Sequence, residues 1–267
     1  MSEQSIIQIS DRGDPRVAPF VSVRERDLTG GADGLFIVEG KVPLSILLKR
    51  SRFAVESLFL CETRLEPLAE LLQKVNPSVP VYTASQALMD DIAGFPIHRG
   101  ILACARKGDA LPIDHFLSAK RLLLLNQISN HDNVGAAFRN AAAFGAESVL
   151  LDAESCDPLY RKAIRVSSGA SLWLPYHHGG SGLDQVETLK SAGFEIWAMT
   201  PRAKAEPLHR LNPPKKLAIL LGAEGPGLPE ALIQAARPVR IPMRAGFDSV
   251  NVATAGAITL AHVFNAN

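Results

Sequence analysis

Cysteine is scarce: Cys61, Cys104 and Cys156 are the only three in 267 residues. They form no C-x-x-C pair and no histidine cluster stands beside them at ligand spacing, which argues against structural zinc and against a disulfide framework. No metal centre is expected, and a reducing compartment is. The neighbours His177 and His178 point different ways from a loop and make no ligand pair. Apolar runs of membrane-spanning length are absent, and the first residues, MSEQSIIQISDRGDPR, lack a basic stretch followed by an apolar one. The expectation is a cytoplasmic protein that does not engage a membrane. Net charge is also nearly absent, since 28 Lys and Arg stand against 27 Asp and Glu. Without a global basic field, any nucleic-acid contact must rest on local patches. Internal repeats and low-complexity tracts are missing as well.

What is present is globular: 47% hydrophobic and 21% charged residues, in a length that suits one large domain or two ordinary ones. Residues 1–17 are polar and carry Gly and Pro, so a frayed leader is expected there. Short apolar runs then alternate with helical patterns. Strands are expected at 35–38, 57–61, 79–82 and 100–105, with helices at 42–49, 65–75 and 84–93. The stretch KGDALPIDHFLSAK loses periodicity and reads as a connection. A second series follows, with strands at 121–125, 148–151, 171–174, 195–199, 217–221 and 239–241. Its helices are expected at 134–144, 158–166, 183–192, 228–236 and 252–264. Such alternation implies βαβ units and sheets covered on both faces. The division is therefore 1–108, a linker at 109–119, and 120–267.

The most informative stretch is LAILLGAEGPGLPEALIQAARPVRIPMRAGFDSVNVATAGA, residues 217–257. Two short strands each end in a polar, glycine-bearing loop beside one acidic residue, Glu224. In open α/β sheets ligands bind at such carboxyl ends. The glycine order G-x-x-G-x-G is not the dinucleotide fingerprint, and no Gly-Lys-Ser/Thr follows to make a P-loop. Glycines that merely turn the chain remain an alternative. Upstream, residues 126–152 follow a strand and open a helix whose Gly135, Ala136, Ala137, Ala141, Ala142 and Ala143 make it thin. Asp132 or Asn133 is a plausible N-cap. Arg139 sits among these small residues, either as a solvated or ion-paired surface side chain or as a guanidinium aimed at a phosphate or a reacting oxygen. Arg161, Lys162 and Arg165 lie within about one helical turn. They form a solvated face or, beside an RNA site, phosphate contacts. Lys49, Arg50, Arg52, His98 and Arg99 are the comparable candidates upstream.

Three segments together carry a resemblance. They are N-V-G-A-A-F-R-N-A at 133–141, L-G-A-E-G-P-G-L at 221–228, and I-P-M-R-A-G-F-D-S-V-N-V at 241–252. In this order they resemble the signature of the SpoU (TrmH-type) branch of the SPOUT RNA methyltransferases. The upstream portion, with F-I-V-E-G near its start and H-R-G-I-L-A near its end, is similar to the L30e-like RNA-binding domain often fused ahead of that catalytic domain. The resemblance implies a SPOUT α/β fold whose C-terminal segment is threaded into a trefoil knot, a rare exception to unknotted topology. The activity it implies is S-adenosylmethionine-dependent methylation of a ribose 2′-hydroxyl in RNA by a homodimer, with rRNA favoured over tRNA.

Carried over by position, the resemblance assigns Asn133, Arg139, Glu224, Ser249 and Asn251 to the polar catalytic set. Leu221, Gly222, Glu224, Gly225, Ile241, Met243, Val250 and Asn251 fall at the cofactor, with main-chain contacts at Gly222, Ile241 and Val250. Arg161, Lys162, Arg165 and Arg99 are the candidate RNA contacts. Arg139 would favour a developing alkoxide electrostatically and would not act as a free base, because a guanidinium side chain does not give up its proton in proteins. Three departures from the family pattern bear on substrate orientation. The usual Asp-Pro-x-Asn reads Asn130-His131-Asp132-Asn133, the usual Arg-Thr-Ala reads Arg139-Asn140-Ala141, and the usual Ser-Leu-Asn reads Ser249-Val250-Asn251. A non-catalytic RNA-binding or ribosome-assembly protein that keeps the fold, and a nucleotide-cofactor oxidoreductase, are the competing expectations.

Overall fold

Two sheets organise the chain, and the computed structural model describes them through residues 5–23 and 34–266. Each sheet centres one of two units. The first comprises Met1–Asp109 with Leu159–Trp173, and the second Ala110–Pro158 with Leu174–Asn267.

In the first unit the strands are β1 (Ile6–Gln8), β2 (Leu35–Glu39), β3 (Ala54–Cys61), β4 (Val81–Ala84) and β5 (Ile101–Arg106). Their order is β1-β4-β3-β5-β2. β4 runs parallel to β1 and β3, whereas β5 is antiparallel to β2 and β3. The helices are α1 (Lys41–Arg50), the short α2 (Ala69–Leu72) and α3 (Gln86–Ala93). Ser85 caps α3 by accepting from the Leu88 N–H, and Gly94 closes it at φ 80°.

Three expectations are corrected here. The leader is not frayed where described: β1 pairs with β4, and Val17 and Phe20 in the 3-10 turn Pro15–Phe20 are fully buried. Residues 1–4 of that leader lie outside the described residues. The apolar spacing at 65–75 yields only α2, preceded by the 3-10 turn Glu66–Leu68, because Pro67 interrupts the expected helix near its start. The third concerns residues 159–173, which group with the first sheet. Arg161 reaches back to pair with the buried carboxylate of Glu39 and lies over the Phe95 ring. Gly169, at φ 82°, leaves room for Ile46, whose Cδ1 would meet an added Cβ at 2.8 Å.

The second unit is one parallel sheet. Its strands are β6 (Arg121–Asn126), β7 (Ser148–Leu151), β8 (Tyr176–His178), β9 (Glu195–Met199), β10 (Glu206–Pro207), β11 (Leu217–Gly222) and β12 (Arg237–Arg240). The order is β10-β12-β9-β11-β6-β7-β8. Its helices are α4 (His131–Ala143), α6 (Gly182–Ser191), α7 (Glu230–Ala235) and α8 (Val252–Asn265), with the Arg161–Val166 helix counted as α5. The central strands are apolar runs because both faces are covered. Leu122, Leu124, Ala218 and Leu220 join a core cluster with Val186 and Leu189 of α6 and Leu232 of α7. On the opposite face Gly256 of α8 comes so close to Leu221 that an added Cβ would lie 2.9 Å from its Cδ1.

Leu111, Ile113, Phe116 and Leu117 pack into this same cluster, so much of the stretch read as a linker belongs to the second unit. The strand expected at 171–174 is a 3-10 turn at Ala170–Leu172, and β8 begins only after Pro175. Helix α4 starts earlier than expected. Asn130 is its N-cap, accepting from the Asp132 N–H, in place of Asp132 or Asn133.

Candidate active-site cleft

Because β9, β11 and β12 are parallel, their carboxyl ends open on the same edge of the sheet. The loop after β11 folds back on its own strand. An added Cβ at Gly222 would lie 2.6 Å from the Leu228 backbone N and 2.7 Å from the Gly227 carbonyl carbon, so no other residue fits without moving main chain. An Ala223–Gly227 bridge closes this turn, with Gly225 at φ 86° and Gly227 at φ 73°. Between it and the loop after β12 lies a cleft of about 480 Å³, a volume suited to a cofactor-sized ligand.

All of Leu221, Gly222, Glu224, Gly225, Ile241, Met243, Val250 and Asn251 line this cleft, as does Ser249. The polar side chains are organised by Asn251. Its Oδ1 accepts from the Ala253 and Thr254 N–H groups at 2.8 and 3.3 Å, capping α8. That fixes the amide, whose Nδ2 donates to Glu224 Oε1 at 2.8 Å and to Asn133 Oδ1 at 3.0 Å. One side chain thus ties together the first turns of α4 and α8 and the loop after β11. Asn133 is only 6% exposed, and its own Nδ2 is buried without a partner. An unpaired buried donor costs about 1–3 kcal/mol, which marks a place where a ligand group or water can be gained.

Arg139 stands apart from this network. It is exposed on α4, does not line the cleft and makes no ion pair among the described residues. Of the basic candidates, Arg161 is engaged by Glu39, and the exposed Arg165 lies 4.0 Å from the same carboxylate. Lys162 is half-buried on the same helix. Arg99 lines a separate cavity of about 260 Å³ in the first unit, with Lys41, Arg64 and His98.

Several contributors escape a reading of the sequence. Asn140, where the family pattern has Thr, donates to the Ala253 carbonyl at 2.9 Å and so ties α4 to the start of α8. Thr200 and Arg202 line the cleft from the loop after β9. Arg202 pairs with Glu230 of α7 at 2.7 Å. Its hydrogen bond holds the Glu230 carboxyl below the usual range, and the same bond raises the guanidinium. Buried Asp152 accepts from the Gln127 N–H and from Ser155, fixing the turn after β6 in which Gln127 adopts φ 58°. The signal available for Arg202 was its place directly after a strand end. Asn140 acts through Ala253 and Asp152 through Gln127, 113 and 25 positions away in sequence. Among the described residues no His, Cys, Asp and Glu group suited to a metal occurs, and no helix is long and apolar enough to cross a membrane.

Known proteins share this architecture. The family model described as the SpoU rRNA Methylase family matches residues 120–261. An uncharacterized tRNA/rRNA methyltransferase of Mycobacterium bovis is 37% identical over 260 residues, covering 94% of this chain and 88% of the relative. A 23S rRNA (guanosine-2'-O-)-methyltransferase of Acinetobacter baylyi is 28% identical over 207 residues, covering 74% of this chain and 83% of the relative. Among solved structures, the AdoMet-bound rRNA methyltransferase from Sinorhizobium meliloti matches with a TM-score of 0.81 at 21% identity, over 97% of this chain and 98% of that one. At that identity the structural likeness speaks to the fold alone.

Proposed function

The chain belongs to the SpoU rRNA methylase family, and from that premise we propose that it methylates ribosomal RNA as a homodimer. The reaction is transfer of a methyl group from S-adenosylmethionine to a ribose 2′-hydroxyl of RNA. The observation that carries the assignment of the site is Asn251, which lines the cleft between the loops after β11 and β12 together with Glu224 and bonds both to it and to the buried Asn133.

The residues present fit the cofactor. Gly222, where a Cβ would strike main chain, leaves strand-end backbone accessible to an adenosine moiety, with Ile241 and Val250 opposite. Glu224 and Asp248 put carboxylates on a cleft that must accept a sulfonium and an ammonium group. The cofactor supplies the methyl group as an activated electrophile, so the protein's work is alignment and charge. Methyl transfer would form the ribose oxygen–carbon bond as the cofactor's carbon–sulfur bond breaks, releasing S-adenosylhomocysteine, with the hydroxyl proton passing to water. The Arg139 guanidinium stabilises the negative charge developing on that oxygen. Asn133, Ser249 and Asn251 orient the ribose and the cofactor's polar end.

Arg139 lies outside the cleft of its own chain, which supports a site shared between two copies, each guanidinium serving the other copy's cleft. Ile258 and Phe264 on α8, 40% and 54% exposed, supply apolar surface that such a dimer would cover. The family resemblance further implies a threaded, knotted C-terminal segment, whose tight packing the small Gly256 beside Leu221 would accommodate. Incubation with methyl-labelled cofactor and separated rRNA and tRNA tests the substrate. Label in ribose 2′-O-methyl nucleosides of rRNA is expected. Label confined to tRNA would move the assignment to that substrate, and no label in either would remove the activity.

A further inference from the structure

The loop between β12 and α8 carries Phe247, the most exposed large apolar side chain among the described residues, at 66%. The ring makes no aromatic contact there and joins no core cluster. Its backbone is nonetheless held. The Phe247 N–H donates to the Arg244 carbonyl at 3.2 Å, closing a turn in which Gly246 takes φ 84°. In such a turn the first and fourth residues lie within about 7 Å, so Arg244 and Phe247 share one tip. Both are exposed, and neither lines the cleft, although Met243 before them and Asp248 and Ser249 after them do. The tip is therefore adjacent to the cleft's lining residues in the chain and stands outside the space they enclose.

We propose that Phe247 is a stacking platform for an unpaired RNA base adjoining the ribose to be methylated, with Arg244 on the neighbouring phosphate. The identity of the ligand rests on the RNA-methyltransferase reading. An aromatic ring beside a guanidinium matches a nucleotide in kind: the base offers a π face and the backbone an anion. A base still paired in a duplex stays stacked and hides that face, so the tip selects single-stranded or flipped-out nucleotides.

The test uses the whole protein, a single-stranded ribo-oligonucleotide and the same strand annealed to its complement. Phe247→Ala is expected to weaken single-strand binding roughly 5- to 150-fold, the range for losing one base–aromatic stack, at every salt concentration and without changing the salt slope. Phe247→Trp restores binding, and single-stranded RNA quenches its fluorescence more than it quenches the wild type. Arg244→Ala instead lowers the salt slope by about one. Unchanged single-strand affinity in Phe247→Ala overturns the proposal. So does a loss accompanied by a smaller mass in light scattering, which assigns the ring to a second copy of the chain, or by weaker S-adenosylhomocysteine binding, which assigns it to the cleft. Methyl transfer by the wild type is scored separately: its absence with Phe247-dependent RNA binding intact removes the reaction and leaves the platform.

Discussion

Replacing Asn251 separates two jobs that one side chain performs. Its Oδ1 caps α8 and its Nδ2 serves Asn133 and Glu224. Asn251→Ala removes both. Loss of an N-cap costs about 0.5–2 kcal/mol. Leaving the buried Asn133 oxygen without a donor costs about 1–3 kcal/mol. The bond to Glu224 adds little to stability, because that carboxylate is exposed and water replaces the donor. Together the loss is about 1.5–5 kcal/mol, or on the order of 10 °C in the melting of the unit that holds the cleft. Asn251→Asp keeps the cap. It also allows the Asn133 amide to turn over and aim its unpaired Nδ2 at the new carboxylate. Its stability should stay within about 1 kcal/mol of wild type, with only the exposed Glu224 pushed aside. Paired melts by differential scanning calorimetry, at equal ionic strength, read the difference. Equal destabilisation of the two variants, or none in Asn251→Ala, would refute the assignment of separate cap and donor roles.

Other substitutions probe the rest of the account. Gly222→Ala should abolish cofactor binding in calorimetry and lower stability by about 1–3 kcal/mol, because its Cβ meets main chain. Arg139→Ala, at an exposed position, should leave stability within about 0.5 kcal/mol while methyl transfer falls at least about 100-fold. Arg161→Met leaves the buried carboxylate of Glu39 only the exposed Arg165 at 4.0 Å and should destabilise by about 3 kcal/mol, whereas the double change with Glu39→Leu should recover most of the loss, as read by chemical denaturation. Burial pushes the Cys156 thiol up to about 12, so the folded protein should not react there with a thiol reagent at pH 8. That resistance should disappear on unfolding.

How much could be read in advance depended on the range of the interactions. β6, β7, β9 and β11 are apolar runs bounded by polar turns, and burial on both faces writes that pattern into each locally. β1 is three residues long with a single half-buried position, and β8 is half-buried throughout. Neither carries the signal of a core strand. Leu172 and Trp173 look strand-like, yet Pro175 delays the strand until its own carbonyl has accepted from Val149. The grouping of 159–173 with the first sheet depends on Arg161 meeting Glu39, 122 positions away, which no periodicity announces. At the site, the motifs named the residues but not their connections. The bond from Asn251 to Asn133 spans 118 positions, and the role of Asn140 depends on a carbonyl 113 positions away.

The most direct measurement is the structure of this protein with S-adenosylhomocysteine. The adenosine should lie between the main chain of Leu221–Gly222 and that of Ile241 and Val250, with the sulfur facing the Asn251–Glu224 pair. A ligand bound elsewhere, or none bound at millimolar concentration, would contradict the account.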